Sequence, residues 1–331
     1  MRRRLAFILV AALLICSCTK EIRFVGQYDG EKIVLYACAN PDTTLSVDLA
    51  MSKFILDDSD LSIYALVTGG KVWGSAGGKN IEFREDLENR GNYVSDYMPV
   101  EGETIELHAS LPEFPDVAAN TTVPRRPDFS VDSYSVQVLD QNEDFKHVKV
   151  TMKITINDVP SVRNCYRLNL FGYTELPDGM GQRLFEPALL SSDVIFREVG
   201  ADVDAIIGYV DGEDYVWIED MFDDSLFDGE SYQFEVWFED YLGEVIYTQD
   251  ENGEWISIVN GDEFDPSVYF VELDTVSEEL FKYSNSVAGF NMLGDFQGLF
   301  GEPVSIFNNV NGGIGCFGAL SPSVRPLKQQ E

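Results

Sequence analysis

Apolar and polar residues alternate along much of this chain with the two-residue period of half-buried β-strands. The longest such run places Val148, Val150, Met152, Ile154 and Ile156 on one face and His147, Lys149, Thr151, Lys153 and Thr155 on the other. Ile105, Leu107, Ala109 and Leu111 alternate with polar residues in the same way. Shorter runs at 32–39, 44–52 and 62–68 are broken by Asn40-Pro41-Asp42 and Asp57-Asp58-Ser59-Asp60, and Gly69-Gly70 and Gly77-Gly78 bracket a hairpin around Trp73. Strands are further predicted at 165–174, 205–210, 215–219, 232–238 and 268–273, with Asp/Gly turns between them. One helix is predicted over 275–288. Thr275 and Glu278 have capping-box spacing there, and Val276, Leu280, Tyr283 and Val287 form a stripe that docks onto a sheet. Many short strands and one helix indicate an all-β chain built from antiparallel sandwiches.

The first residues interrupt this pattern. Arg2, Arg3 and Arg4 precede an unbroken apolar run over residues 5–15, which reads as a secretory signal too short to span a bilayer. Leu14-Ile15-Cys16-Ser17-Cys18 follows the rule of a small residue before a cysteine, so cleavage before Cys18 and lipid attachment at Cys18 are expected. Cys16 fits less well, because Ile15 stands at its small-residue position. Acyl chains contribute about 0.8 kcal/mol per buried methylene, so several on one cysteine form a durable anchor. Thr19-Lys20-Glu21 resembles the surface-export signal of Bacteroidota lipoproteins.

This divides the chain into a signal peptide (1–17), an anchored tether (18–27), a first sandwich (28–124), a connector at 125–128, a second β-domain (129–320) and a tail (321–331). The connector lies in Val123-Pro124-Arg125-Arg126-Pro127 and is stiffened by its prolines.

Charge narrows the partners. The chain carries 23 basic and 57 acidic residues, a net of −34, and loss of the three signal arginines leaves 20 against 57. That balance excludes nucleic acid, which is bound through basic surface, and opposes adsorption to anionic lipid by anything but the anchor. Residues 198–281 hold 26 acidic side chains and no lysine or arginine. They project a negative potential that salt screens beyond about 8–10 Å.

Candidate chemistry is sparse. Asp211-Gly212-Glu213-Asp214 and Asp223-Asp224…Asp228-Gly229 have a calcium-like composition without a recognised loop spacing, so Asp/Gly turns are the favoured reading. Gly313, Gly315 and Gly318 form a GxGxxG, yet Pro322 follows at once where a dinucleotide fingerprint needs a helix. These glycines read as a closing turn and a last strand that allow close backbone approach. His108 and His147 sit on polar strand faces without a second ligand at metal spacing. Tyr215, Trp217, Trp237 and Trp255 suit a buried role better than a sugar platform. Cys38, Cys165 and Cys316 lie far apart in apolar contexts and are expected to be buried free thiols. No catalytic residue, metal ligand or cofactor site is assigned.

The order of several segments carries a resemblance. Glu302-Pro303-Val304-Ser305-Ile306-Phe307-Asn308-Asn309-Val310 followed by Asn311-Gly312-Gly313-Ile314-Gly315-Cys316-Phe317-Gly318 resembles the end of the Bacteroidota lipoproteins of domain-of-unknown-function family 4249. Glu31-Lys32-Ile33-Val34-Leu35, Tyr93…Gly102-Glu103-Thr104, Thr122-Val123-Pro124 and Phe222-Asp223…Phe227-Asp228-Gly229…Tyr232 agree with it. The resemblance implies an immunoglobulin- or transthyretin-like sandwich followed by a larger β-domain, in a non-enzymatic outer-membrane lipoprotein working beside a TonB-dependent receptor. It supplies no catalytic residues. A structural or adhesive, fimbrillin-like subunit is the alternative, and a hydrolase using paired carboxylates is the third reading.

Overall fold

A computed structural model describes residues 30–52, 65–142, 145–160, 162–175, 182–196, 216–218, 221–243, 245–249, 255–259, 263–294 and 305–327. The signal segment, Cys18, the strand expected at 205–210, the cluster at 211–214 and Tyr215 lie outside these residues. The described part is all-β apart from one helix and two single-turn 3-10 segments. No helix among the described residues is long and apolar enough to cross a membrane.

The first strands are β1 (Ile33–Ala39), β2 (Ser46–Met51), β3 (Ala65–Leu66), β4 (Lys71–Ala76), β5 (Lys79–Glu82), β6 (Arg84–Glu85), β7 (Asn92–Val94), β8 (Thr104–Ser110) and β9 (Val117–Thr122). Beyond the connector come β10 (Asp128–Gln141), β11 (Lys146–Asn157), β12 (Cys165–Glu175), β13 (Gln182–Phe185), β14 (Leu190–Ser191), β15 (Val216–Trp217) and β16 (Phe222–Asp223). They are followed by β17 (Ser231–Leu242), β18 (Val245–Gln249), β19 (Trp255–Val259), β20 (Tyr269–Val276), helix α1 (Glu278–Gly294) and β21 (Ile314–Pro326).

Alternation decides which side of each strand is buried. Ile105, Leu107 and Ala109 of β8 have no exposed surface, and neither do Val150, Met152, Ile154 and Ile156 of β11. At roughly 25 cal/mol per Å² of apolar area removed from water, such rows are the main force holding the sheets together. Gly77 and Gly78 both take positive φ between β4 and β5, the conformation that a two-residue hairpin turn demands.

The sheets form two sandwiches that share one partner. A ten-stranded sheet runs β13-β12-β20-β21-β1-β2-β7-β6, with β16 and β3 attached to β12 and β2. The sheet β5-β4-β8-β9 faces its β1 side and encloses a core around Leu35, Val47, Leu107 and Phe317. The sheet β10-β11-β17-β14-β15 faces its β12–β20 side and encloses a second core around Met152, Leu168, Phe238 and Leu273.

Strand β21 is the hinge of this arrangement. Residues 314–319 pair parallel with β1, whereas 320–326 pair antiparallel with β20. The last strand therefore serves both sandwiches, and residues 321–326, read from sequence as the start of a tail, continue it. Pro124, just before the connector, and Pro127 within it accept hydrogen bonds from Ser321 Oγ (2.7 Å) and Ser323 Oγ (3.1 Å). Arg126 is fixed by Asp42 (2.6 Å) and Glu101 (2.9 Å). The connector is thus pinned across β21 and does not act as a free spacer.

The glycines of the closing segment have the predicted use. A Cβ on Gly313 would meet the Ile33 carbonyl oxygen at 2.6 Å, and one on Gly318 would meet Leu280 Cβ at 2.7 Å. Tight contact with β1 on one side and α1 on the other requires the absence of a side chain there.

The helix starts later than the spacing of Thr275 and Glu278 predicts. Thr275 and Val276 are buried and complete β20, paired with Ser321 and Leu320. Ser277 caps the helix instead: its Oγ accepts from Leu280 N (3.3 Å) and Ala319 N (3.1 Å). Continued pairing with β21 outweighs the local capping signal, because it satisfies more backbone groups. Ser277→Ala removes both bonds and is expected to cost about 1–2 kcal/mol. Urea denaturation checks this, and an unchanged midpoint would remove Ser277 from the cap.

Among the described residues the three cysteines are free thiols. Cys165 and Cys316 are buried as expected, and burial pushes both thiols up to about 12. Cys38 is exposed, contrary to the expectation. It lies on the side of β1 away from the first core, where burial falls from Val34 through Tyr36 to Cys38.

Candidate functional site

Among the described residues, strand β12 is paired along only part of one edge. On one edge, residues 165–172 register with β20. On the other, Cys165 and Tyr166 pair with β16, and residues 172–175 pair with β13. Between these two short partners, residues 167–171 have no strand beside them among the described residues. After β13 the chain turns away through Glu186, Pro187, Ala188 and Leu189 to reach β14 in the facing sheet. Pro187 has no N–H to offer a neighbouring strand. The separation leaves a groove of about 450 Å³ between the β12 edge and residues 186–189, closed at one side by Ile218.

The alternation of β12 gives the groove two unlike rows. Leu168 and Leu170 belong to the second core, with Leu189 and Ile218 beside them. Arg167, Asn169 and Phe171 occupy the opposite face, each across from a residue of β20. The Arg167 guanidinium contacts one oxygen of Asp274, Nη2 at 2.6 Å and Nε at 2.8 Å. The Asp274 side chain has no exposed surface, and its Oδ1 has no hydrogen-bond partner among the described residues. Burial pushes its carboxyl up to about 6, with Arg167 opposing that rise. Asn169 Nδ2 donates to Glu272 Oε1 at 3.2 Å. Phe171 stacks on Phe270 at 5.5 Å, and Tyr173 meets both rings edge-on.

Sequence reading did not reach these pairs. Arg167 and Asp274 are 107 residues apart and Asn169 and Glu272 are 103 apart, so only the β12–β20 register brings them together. The local signal was the alternation itself, which marks Arg167 and Asn169 as one face and Leu168 and Leu170 as the other.

The acidic turns meet in part. Asp224 and Asp228 approach Asp158, with one oxygen of each within 4.8 Å of the others. Asp158 already accepts from Tyr166 Oη (2.5 Å), Asn164 Nδ2 (3.0 Å) and Gly229 N (2.8 Å). Asp224 accepts from Asn164 N (2.6 Å) and Nδ2 (3.2 Å). Burial raises the Asp224 carboxyl above the ordinary carboxylate range, and Asp158 and Asp223 add to the effect. A calcium ion needs about six to eight oxygens, and those of Asp158 and Asp224 already hold the turn to the strand ends. One millimolar calcium is therefore expected to move the melting temperature by less than about 1 °C. A clear calorimetric rise would show that the cluster rearranges around metal.

The histidines are strand-face residues with local partners. His108 stacks on Trp73 at 5.3 Å and contacts Glu106 at 3.1 Å. His147 stacks on Tyr241 at 4.3 Å and contacts Glu239 at 2.8 Å. Trp237 is buried beneath the Lys149 ammonium, 3.9 Å from the ring centre, so its face is covered. The Trp217 and Trp255 side chains lie outside the described residues.

A family model described as "Domain of unknown function (DUF4249)" matches residues 19–325. No curated protein matches the chain.

Proposed function

The chain belongs to the DUF4249 family, and from that premise we propose a non-enzymatic capture lipoprotein serving a TonB-dependent outer-membrane transporter. Lipid on Cys18 would hold it to the outer membrane, facing outwards, with residues 19–27 as tether. The observation supporting capture is the groove along β12, a concavity of ligand size. It joins an apolar row to polar side chains whose geometry is fixed by Asp274 and Glu272. The negative surface favours neutral or cationic cargo and keeps the protein off anionic lipid except through its anchor.

Co-purification tests this reading. With a tag after Glu331 and gentle solubilisation of outer membranes, a β-barrel receptor is expected in stoichiometric amount by mass spectrometry. Cys18→Ala should release the protein from the membrane fraction. A lone monomer removes the transporter partnership, and ladders of the chain itself favour the adhesive subunit.

A further inference from the structure

The groove beside β12 has the dimensions of a missing strand. Five residues at 3.3–3.4 Å each give an open edge of roughly 17 Å. Pairing with β20 uses one alternating set of N–H and C=O groups, and the other set points along the sheet toward the groove. Among the described residues no backbone hydrogen bond from another segment reaches residues 167–171 on that side. The two flanking partners, β16 and β13, show where an added strand would begin and end.

The side chains bordering the edge define what it takes. A strand placed there presents alternate residues to the two faces of the sheet. On the core side they meet Leu168, Leu170, Leu189 and Ile218. On the other side the Arg167 charge is balanced by Asp274, which leaves two carboxylates to set the local sign. Glu272 accepts from Asn169 through Oε1, and Glu186 is exposed at the groove wall. An apolar row on one face, with Glu186 and Glu272 as the carboxylates left on the other beside Asn169 and the paired Arg167, complements a strand of alternating apolar and basic residues.

Resting on the capture reading above, we infer that the groove binds an extended peptide segment that adds to the sheet along residues 167–171 of β12. Main-chain hydrogen bonds provide the grip, and the alternating rows fix register and choice. Lysine or arginine side chains lie toward Glu186 and Glu272, while valine- or leucine-like side chains enter beside Leu168 and Leu170. A second copy of this chain is a poorer occupant, because each copy carries a net charge of −34.

The test uses the isolated mature chain and a fluorescein-labelled Lys-Val-Lys-Val-Lys peptide, whose five residues match the edge, read by anisotropy. Binding is expected to be saturable. It should weaken at least about tenfold when Glu replaces Lys in the peptide, because like charges then face each other. A strand turns alternate amides toward its neighbour, so N-methylation of one alternate set should abolish binding while methylation of the other is tolerated. Glu186→Lys, a change at an exposed position, should reduce affinity for the lysine peptide and raise it for the glutamate peptide. No binding at 1 mM peptide overturns the proposal, as does binding indifferent to both methylation patterns. The outcome is independent of the receptor experiment. A receptor that co-purifies with a chain unable to bind peptide refutes the ligand class alone, and peptide binding without a receptor refutes the transporter partnership alone.

Discussion

Gly315→Ala is expected to lower the stability of this protein by about 4 kcal/mol or more, out of a total of the order of 5–15. Gly315 has φ +127° at the start of β21, opposite Leu35 of β1. A Cβ there would fall 2.0 Å from the Leu35 carbonyl oxygen and 2.9 Å from its carbon. Backbone strain of this kind costs roughly 1–3 kcal/mol, and forcing an extra methyl into a packed position costs a similar amount again. The second part has no flexible side chain to absorb it, because the obstacle is backbone. Relief requires β21 to part from β1, which opens the join between the two sandwiches.

Gly102→Ala separates the two contributions. Gly102 also has positive φ, +81°, but a Cβ there meets nothing within 4 Å. It should cost only about 1–2 kcal/mol for the conformation. Urea denaturation of the two variants beside the parent measures the difference. Equal losses would show that the close approach of β21 to β1 carries no special weight.

Arg167→Met is expected to produce a loss that depends on pH, about 3–5 kcal/mol at pH 8 and much less at pH 4.5. Asp274 is fully buried, and its carboxyl titrates at about 6 in the folded protein against an ordinary 3.8. The folded state holds this proton more tightly than the unfolded one. The favourable contribution of the group is therefore complete below pH 3.8 and is lost as pH rises through 6. Arg167 limits that loss by pairing with the charged form. Without the guanidinium, ionisation leaves an unpaired charge in the interior, so the deficit of the variant grows above pH 6. Near pH 4.5 the carboxyl is protonated in both proteins, and the difference narrows to lost packing and the two guanidinium contacts to a neutral carboxyl. Methionine retains most of the aliphatic stem. Asp42, Asp132 and Asp223 are held below the ordinary carboxylate range and favour folding at higher pH. Their effect cancels when variant and parent are compared at each pH. A deficit constant from pH 4.5 to 8 would place the stabilisation outside the Arg167–Asp274 pair.

These two sites lie on the same structural feature, a ten-stranded sheet common to both sandwiches. Gly315 lets β21 approach β1, and Asp274 sits where β20 links β21 to β12. Among the described residues the groove is where this sheet runs short of partners, since β13 and β16 leave residues 167–171 between them.

Features that depend on near neighbours along the chain are legible without the fold. Alternation marked β8 and β11 and their buried faces, because burying one side of a pleated strand requires apolar residues at every second position. Gly69-Gly70 and Gly77-Gly78 marked a hairpin around Trp73; Trp73 itself lies in β4, and Gly77 and Gly78 form the turn because few other residues accept positive φ. The glycines at 313, 315 and 318 were legible as sites of close approach, though the surfaces they approach were not. Tertiary structure decided the rest. Thr275 and Val276 have helix-start spacing, yet pairing with Ser321 and Leu320 keeps them in β20. The last strand joins both cores, because its parallel partner β1 lies at the other end of the chain. Arg167 and Asn169 gain their acidic partners only through cross-strand register. Register is a property of two distant segments together, and neither segment encodes it alone.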